Sequence, residues 1–378
     1  MGIPRSLFLL ILSFILMSTV GFAQCPPSLT LTTQQEIDDF AINYPNCDGT
    51  GLSLEINNEV TPITNLNGLS QLTTLSSLGI FFTDATDLSG LDNITNISFH
   101  LRILGNGELV SLNGLQSLES VGNGLRIIIN ENLVSLDGLS GLTEIIGDVD
   151  ISGNTSLQSL SGLNNLTRVR GSLEIKSLPN LTDLLGLESL TEVGLSPADR
   201  LYIFNNPQVE SLEGLENLET INGTLEMRLM SNLASIAELS TLESITEGIN
   251  FQNNSQLSFC AIDVICNNLD NNNIEFIFAN NALGCSSLPE VEASCLLSVN
   301  DPVLEDLVSL YPNPVSEILQ IQISEEITLR GSTLYTVLGE FIFSTSEKQL
   351  DLSNLSQGIY FVEVTTDHGF ITRKIVKE

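Results

Sequence analysis

The sequence predicts an all-β chain, a solenoid of stacked strands followed by a small antiparallel β-sandwich. Three observations point there. The phrase leucine, any residue, glycine, leucine recurs at Leu66-Asn67-Gly68-Leu69, Leu88-Ser89-Gly90-Leu91, Leu112-Asn113-Gly114-Leu115, Leu136-Asp137-Gly138-Leu139, Leu160-Ser161-Gly162-Leu163, Leu184-Leu185-Gly186-Leu187 and Leu212-Glu213-Gly214-Leu215. Its glycines are spaced 22, 24, 24, 24, 24 and 28 residues apart, with 24 more to a degenerate copy at Ile236-Ala237-Glu238-Leu239. A fixed period in the twenties marks a solenoid, whose units bury their apolar faces only by stacking. Within each unit, triplets such as Val149-Asp150-Ile151, Leu173-Glu174-Ile175 and Leu201-Tyr202-Ile203 place apolar residues on one face and the middle residue on the other, the pattern of a strand. From Leu310 onward the period is replaced by short alternating runs separated by turns, as in Leu319-Gln320-Ile321-Gln322-Ile323 and Gly358-Ile359-Tyr360-Phe361-Val362. Such runs predict the sandwich.

The first 23 residues read as a signal peptide. Arg5 precedes an apolar run from Leu7 to Met17, and Gly21 and Ala23 are the small residues before a cut after Ala23. Cys25 raises a lipoprotein signal as the rival, but Gln24 stands where lipid attachment needs a small residue. The run is too short to persist as a span, and no other long apolar run follows, so no integral membrane segment is expected in the mature chain.

Thirteen Lys and Arg stand against 46 Asp and Glu, a net charge of −33. That balance excludes nucleic acid as a partner, because holding phosphates takes clustered cations. His100 and His368 are the two histidines and lie far apart. No GxSxG, HExxH or Walker loop is present, so no catalytic residue, cofactor or metal site is expected. Asp148 and Asp150 form a D-x-D on one strand, read as a solvated acidic face.

Six cysteines in an exported chain should pair. Cys25 and Cys47 precede the repeats, while Cys260, Cys266, Cys285 and Cys295 follow them. They define two caps, over 24–50 and 261–295, around repeats at 51–260. Cys25 should pair with Cys47 and the other four with one another, because the ends of a solenoid of about eight coils lie too far apart to be bridged. Spacing leaves three connectivities open among the last four. In the first cap, Thr33-Gln34-Gln35-Glu36 has capping-box spacing, Ile37, Phe40 and Ala41 share one side of a short helix, and Pro45 stops it. The helix should lie over the open end of the first coil.

Asparagine recurs eight residues before the phrase's third position, at Asn106, Asn130, Asn154, Asn206 and Asn254. An amide there can satisfy turn backbone along the stack. The outward residues form two ladders, Arg102, Arg126, Asp150, Glu174, Tyr202, Glu226, Asn250 and Leu104, Ile128, Ser152, Lys176, Phe204, Arg228, Gln252. Aromatic and arginine side chains anchor interfaces, so Arg102, Arg126, Tyr202 and Phe204 are the candidate ligand-binding residues. The alternative is that they lie under a neighbouring loop such as the insertion at Ser196 to Asp199.

The pattern L-x-S-L-x-G-L-x-x-L-x-x-I/V-x-G-x-L-x-I-x-x-N, as in Leu133 through Ile151 and Asn154, resembles the receptor L-domain type of leucine-rich repeat. That resemblance implies a right-handed parallel β-helix over about residues 50–260. The horseshoe pattern L-x-x-L-x-L-x-x-N fits less well. By resemblance to the disulfide caps of leucine-rich arrays, Cys260 should pair with Cys285 and Cys266 with Cys295. Leu296 to Glu305 look like an acidic linker. Residues 306–378 resemble the type A C-terminal sorting domain of the type IX secretion system, carried by Tyr311-Pro312-Asn313-Pro314, the Gly358-Ile359-Tyr360 strand and the Arg373-Lys374 tail. The resemblances imply Sec export, recognition by the type IX machinery, and a non-enzymatic binding or adhesion protein, released or held at the cell surface, with a protein or glycan ligand. A structural surface component is the alternative, and a polysaccharide-acting enzyme a weaker one.

Overall fold

The computed structural model describes residues 25–269, 271, 273–297, 307–324, 327–337, 341–366 and 369–378. The expected signal peptide and most of the expected linker, 298–305, lie outside these residues.

Eleven strands stack into one parallel sheet: β1 Ser28–Leu31, β2 Ser53–Asn57, β3 Ser77–Phe81, β4 His100–Leu104, β5 Gly124–Ile128, β6 Asp148–Ser152, β7 Leu173–Lys176, β8 Arg200–Phe204, β9 Thr224–Arg228, β10 Gly248–Gln252 and β11 Glu275–Ala279. Neighbours pair in register one repeat apart, as in Ile127 with Ile151 and Ile151 with Ile175. Each of eight coils adds a second, two-residue strand, such as Glu144–Ile145 or Arg168–Val169, and these form their own parallel sheet on another side of the solenoid. Two stacked sheets and no α-helix between Tyr44 and Ile262 make this a β-solenoid.

The alternation in the sequence becomes the inside and outside of the coil. Val149, Ile151, Leu160, Leu163, Leu166 and Val169 from one turn are fully buried in a continuous core. Each such side chain contributes roughly 1.5–3 kcal/mol. The phrase glycine is required by the stacking: Gly162 has φ +102°, and a Cβ there would lie 2.0 Å from the Leu136 carbonyl oxygen of the preceding coil.

Both caps do more than cover an end, because each donates a strand to the main sheet, β1 at one edge and β11 at the other. The array is therefore longer than the eight coils that the phrase alone counts. In the first cap, helices α1 Gln34–Asp38 and α2 Phe40–Asn43 follow the Thr33–Glu36 capping box and bury Ile37 and Phe40. A Cβ on Gly68 would lie 1.9 Å from the Ile37 carbonyl oxygen, so α1 rests directly on the first turn. The second cap adds α3 Asp263–Cys266 and α4 Leu288–Leu297, the latter running two residues into the stretch expected to be linker. Disulfides join Cys25 to Cys47, Cys260 to Cys285 and Cys266 to Cys295.

The C-terminal unit has strands β12 Val308–Tyr311, β13 Ile318–Ile323, β14 Leu329–Thr336, β15 Phe341–Thr345, β16 Gln349–Asp351, β17 Gly358–Thr366 and β18 Gly369–Lys377. They form two antiparallel sheets, in the orders β12-β13-β16 and β15-β14-β17-β18. Leu319, Ile321 and Leu350 from one sheet meet Leu334, Val362 and Ile375 from the other in a common core. The sequence also marks turns at Leu338-Gly339 and Asp367-His368-Gly369; the first and the Asp367-His368 part of the second lie outside the described residues, and Gly369 opens β18.

Candidate ligand face and sorting corner

The asparagine ladder ties neighbouring coils of the main sheet together. Asn130 is buried; its Nδ2 donates to the Ile103 carbonyl at 3.0 Å, and its Oδ1 accepts from the backbone N–H of Asn106 at 3.1 Å. Asn154 and Asn254 repeat the donation one coil behind, to Ile127 and Met227. The ladder continues into the second cap with Asn281, whose Oδ1 accepts from Asn254 and whose Nδ2 donates to Phe251. Asn281 was not among the asparagines picked out by spacing, because the phrase that fixed their phase has faded there. Leu178 and Met230 occupy two rungs, and their N–H groups donate to Asn206 and Asn254.

The four candidate ligand residues fall into two groups. Arg102 on β4 and Arg126 on β5 are register partners on adjacent strands. Tyr202 and Phe204 lie together on β8, with ring centroids 5.5 Å apart and planes at 36°. Sequence reasoning passed over Arg200 at the start of the same strand, whose guanidinium lies 4.5 Å from the centre of the Tyr202 ring. Its signal was two-residue alternation: Arg200, Tyr202 and Phe204 share one side of β8.

An ion-pair network holds this second group. Arg200 Nε donates to Glu174 Oε1 at 2.9 Å, and its Nη1 lies 3.5 Å from Glu226. Lys176 pairs with Glu174 and, at 3.2 Å, with Asp150, while Arg228 and Asn250 both donate to Glu226 Oε1. Burial raises the Glu174 carboxyl, but hydrogen bonds from Lys176 and Arg200 outweigh it and leave the group below the usual carboxylate range. Burial likewise lowers Lys176, yet Glu174 and Asp150 carry it above the ordinary lysine value. The Tyr202 hydroxyl is raised by burial and by the Glu226 charge. The two outward ladders thus meet in a charge network, and Asp150, read from the sequence as part of a solvated acidic face, is paired with Lys176 in it. Asp148 and Asp150 are both engaged, Asp148 by the Ser172 N–H at 2.9 Å. Among the described residues no cluster of three or more His, Cys, Asp or Glu could hold a metal ion. The insertion closes on itself through Asp199, whose Oδ2 accepts from Leu195 and Ser196 N–H.

One row of the face escaped the sequence reading. The residue just after each of strands β3 to β11 turns left-handed, at Phe82 (φ 54°), Gly105, Ile129 (φ 56°), Gly153, Ser177, Asn205, Leu229 (φ 58°), Asn253 and Asn280. Glycine and asparagine suit that conformation; phenylalanine, leucine and above all β-branched isoleucine do not. Phe82, Ile129 and Leu229 are also exposed, by 62%, 54% and 39%.

In the sandwich, motif pieces some 60 residues apart in the chain meet at one corner. Gly358, Ile359 and Tyr360 on β17 pair with Lys377, Val376 and Ile375 on β18, the strand that carries Arg373 and Lys374. Tyr311, Pro312, Asn313 and Pro314 lead from β12 to the outer edge of β18, where Val315 N–H donates to the Val376 carbonyl at 2.8 Å. The peptide bonds before Pro312 and Pro314 are both cis.

Residues 309–378 match the family described as the secretion system C-terminal sorting domain. Residues 119–212 and 141–234 each match the receptor L domain. No curated protein matches the chain. Among the described residues no helix is long and apolar enough to cross a membrane. The L-domain match falls on the in-register repeats and the sorting-domain match on the sandwich with its motif corner, so the chain carries a receptor L domain within 119–234 and a type IX secretion system C-terminal sorting domain over 309–378.

Proposed function

We propose that this is an exported, non-enzymatic binding or adhesion protein, held at the cell surface or released, which seats a protein or glycan partner on the outward face of its main sheet. The observation that carries the reading is the cluster of Arg200, Tyr202 and Phe204, two rings and a guanidinium gathered on one strand and braced by Glu174 and Glu226. Aromatic and arginine side chains are the usual anchors of interfaces, and bracing reduces the ordering cost of binding. The receptor L-domain match supports a binding role, and the sorting-domain match supports delivery by the type IX machinery.

The test is an array of proteins and glycans probed with the purified protein. Saturable binding that disappears in Tyr202→Ser/Phe204→Ser, at an unchanged melting temperature, supports the reading. Retained binding moves the site elsewhere. Turnover of a polysaccharide would identify a hydrolase, and absence of any ligand would favour a structural surface component.

A further inference from the structure

We propose that the sheet face carries a second site, over Arg102 and Arg126, that takes an extended acidic polypeptide segment with aliphatic side chains beside its carboxylates. The proposal rests on reading the main sheet as the ligand face, but on a different part of it from the Tyr202 cluster.

Two local rules are broken at the same place. Arg102 and Arg126 are register partners on neighbouring parallel strands, and like charges directly opposite one another repel. In a chain with 13 basic and 46 acidic residues, this adjacency is not a matter of crowding. Elsewhere on the face cations are consumed by acids: Lys176 by Asp150 and Glu174, Arg200 by Glu174 and Glu226, Arg228 by Glu226. Arg102 reaches Glu55 at 3.2 Å through Nη2, yet its Nε is buried without a hydrogen-bond partner. Arg126 is exposed and, among the described residues, forms no ion pair; the acid on its other side, Asp150, is held by Lys176. Strand spacing of about 4.8 Å lets one carboxylate meet both guanidiniums.

The second rule is conformational. Beside these arginines, the left-handed row holds Phe82 and Ile129, where the other coils use Gly, Asn or Ser and, in one, Leu229. Outliers of this kind persist where the surroundings fix them and cluster at functional sites. Both side chains lie flat on the next coil: a Cβ on Gly105 would stand 2.5 Å from the Phe82 ring, and one on Gly153 would stand 3.2 Å from Ile129 Cγ1. With half-buried Leu104 and Ile128 alongside, they form an apolar rail next to unspent positive charge. An acid alone would leave the rail wet, and an apolar ligand would leave Arg126 unpaired. Phe82 is the one aromatic plane in the rail, and the aliphatic Leu104, Ile128 and Ile129 that complete it suit peptide side chains better than sugar rings. Together they fit acidic and apolar residues in alternation along an extended peptide.

The test uses the full chain and a capped pentapeptide of alternating glutamate and aliphatic residues, with a lysine counterpart as control and polygalacturonate as a second acid. The acidic peptide should bind saturably and more weakly as salt rises. Arg126→Glu should weaken it at least about tenfold, the scale of a charge-assisted contact. Ile129→Gly should also weaken it while leaving the melting temperature equal or higher, because glycine relieves the left-handed backbone. Tyr202→Ser/Phe204→Ser should leave peptide binding intact, so that failure of the aromatic site and failure of this one are separable. No saturable peptide binding, equal binding of the lysine peptide, indifference to Arg126→Glu, or loss in the Tyr202/Phe204 variant would each overturn the proposal. Arg126-dependent binding of polygalacturonate without the peptide would overturn the peptide assignment in favour of a uronate site.

Discussion

Asn313 is bonded to the backbone around Val376: its Oδ1 accepts from the Val376 N–H at 2.9 Å, while its Nδ2 donates to the Lys374 carbonyl at 3.0 Å. The side chain imitates a strand residue on the open edge of β18, and the Val315 backbone continues the imitation by exchanging bonds with Val376 and Glu378. An edge covered in this way is shielded from pairing with another chain.

Replacing Asn313 by Ala should therefore loosen the edge specifically. Amide exchange at Val376 should accelerate, and the sandwich should lose about 1–2 kcal/mol for two hydrogen bonds. Aspartate keeps the acceptor but not the donor and should fall between the two. Exchange at Val376 equal to that of the parent would show that Val315 alone holds the edge.

The core and the face should respond differently to substitution. Ile151→Asp strands a charge in the solenoid and should unfold several coils. Glu174→Gln keeps the shape but removes the hub of Lys176 and Arg200, so a loss of about 1–3 kcal/mol is expected. Thermal melts of the two variants rank these effects, with Ile151→Asp the larger.

The same hub sets a pH dependence. The Glu174 carboxyl is depressed below the ordinary glutamate value of 4.5, so its stabilisation is present above that value and is lost as pH falls through the lower, folded value. Lys176 is raised above 10.5, so its share is complete below that value and is lost as pH rises past its folded value. The melting-temperature gap between parent and Glu174→Gln should be widest near neutrality and close at acid pH. A gap that stayed constant down to acid would place the stabilisation outside the carboxylate.

The asparagine ladder should be cooperative along the stack. Asn130→Ala removes the acceptor of both the N–H and the side-chain amide of Asn106, and leaves the Ile103 carbonyl without its side-chain donor. A loss of about 2–4 kcal/mol is expected from stranding buried groups. Hydrogen exchange should report opening first in the coils on either side of residue 130.

Export should depend on the sandwich and the fold of the repeats should not. Their cores are separate clusters, and the second cap carries its own two disulfides. Deleting 306–378 should leave a disulfide-bonded solenoid with an unchanged melt, trapped inside a host that has the type IX machinery. Normal amounts of the truncated protein in the medium would remove the sorting role from these residues.

Much of this was legible because the repeat converts sequence distance into spatial distance. Once Leu136 and Leu160 are one coil apart, so are Arg126, Asp150 and Glu174, and the ladders follow from arithmetic. The cap helix was legible for a local reason, the capping box at Thr33 and Glu36. What stayed hidden depends on conformation or on long separation. Nothing in the letters at Phe82 or Ile129 says that they must turn left-handed, since both residue types ordinarily signal strand. The link of Asn313 to Val376 spans 63 residues and belongs to sandwich topology, which alternation does not specify. Strand β1 was missed because it precedes the cap helix and carries no copy of the leucine-glycine phrase, although it pairs with β2 just 25 residues on.

Because all eleven strands stay in register, the face is also a ruler. Arg102 on β4 and Tyr202 on β8 are separated by four strand steps, roughly 19 Å at about 4.8 Å per step. A partner touching both clusters must carry its own two contacts at that spacing. Such a partner would gain from avidity, since the second contact then forms at high effective concentration, and one with a stiff mismatch would be refused whatever its local chemistry. The 24-residue period that builds the coils thus also sets a length against which ligands are measured.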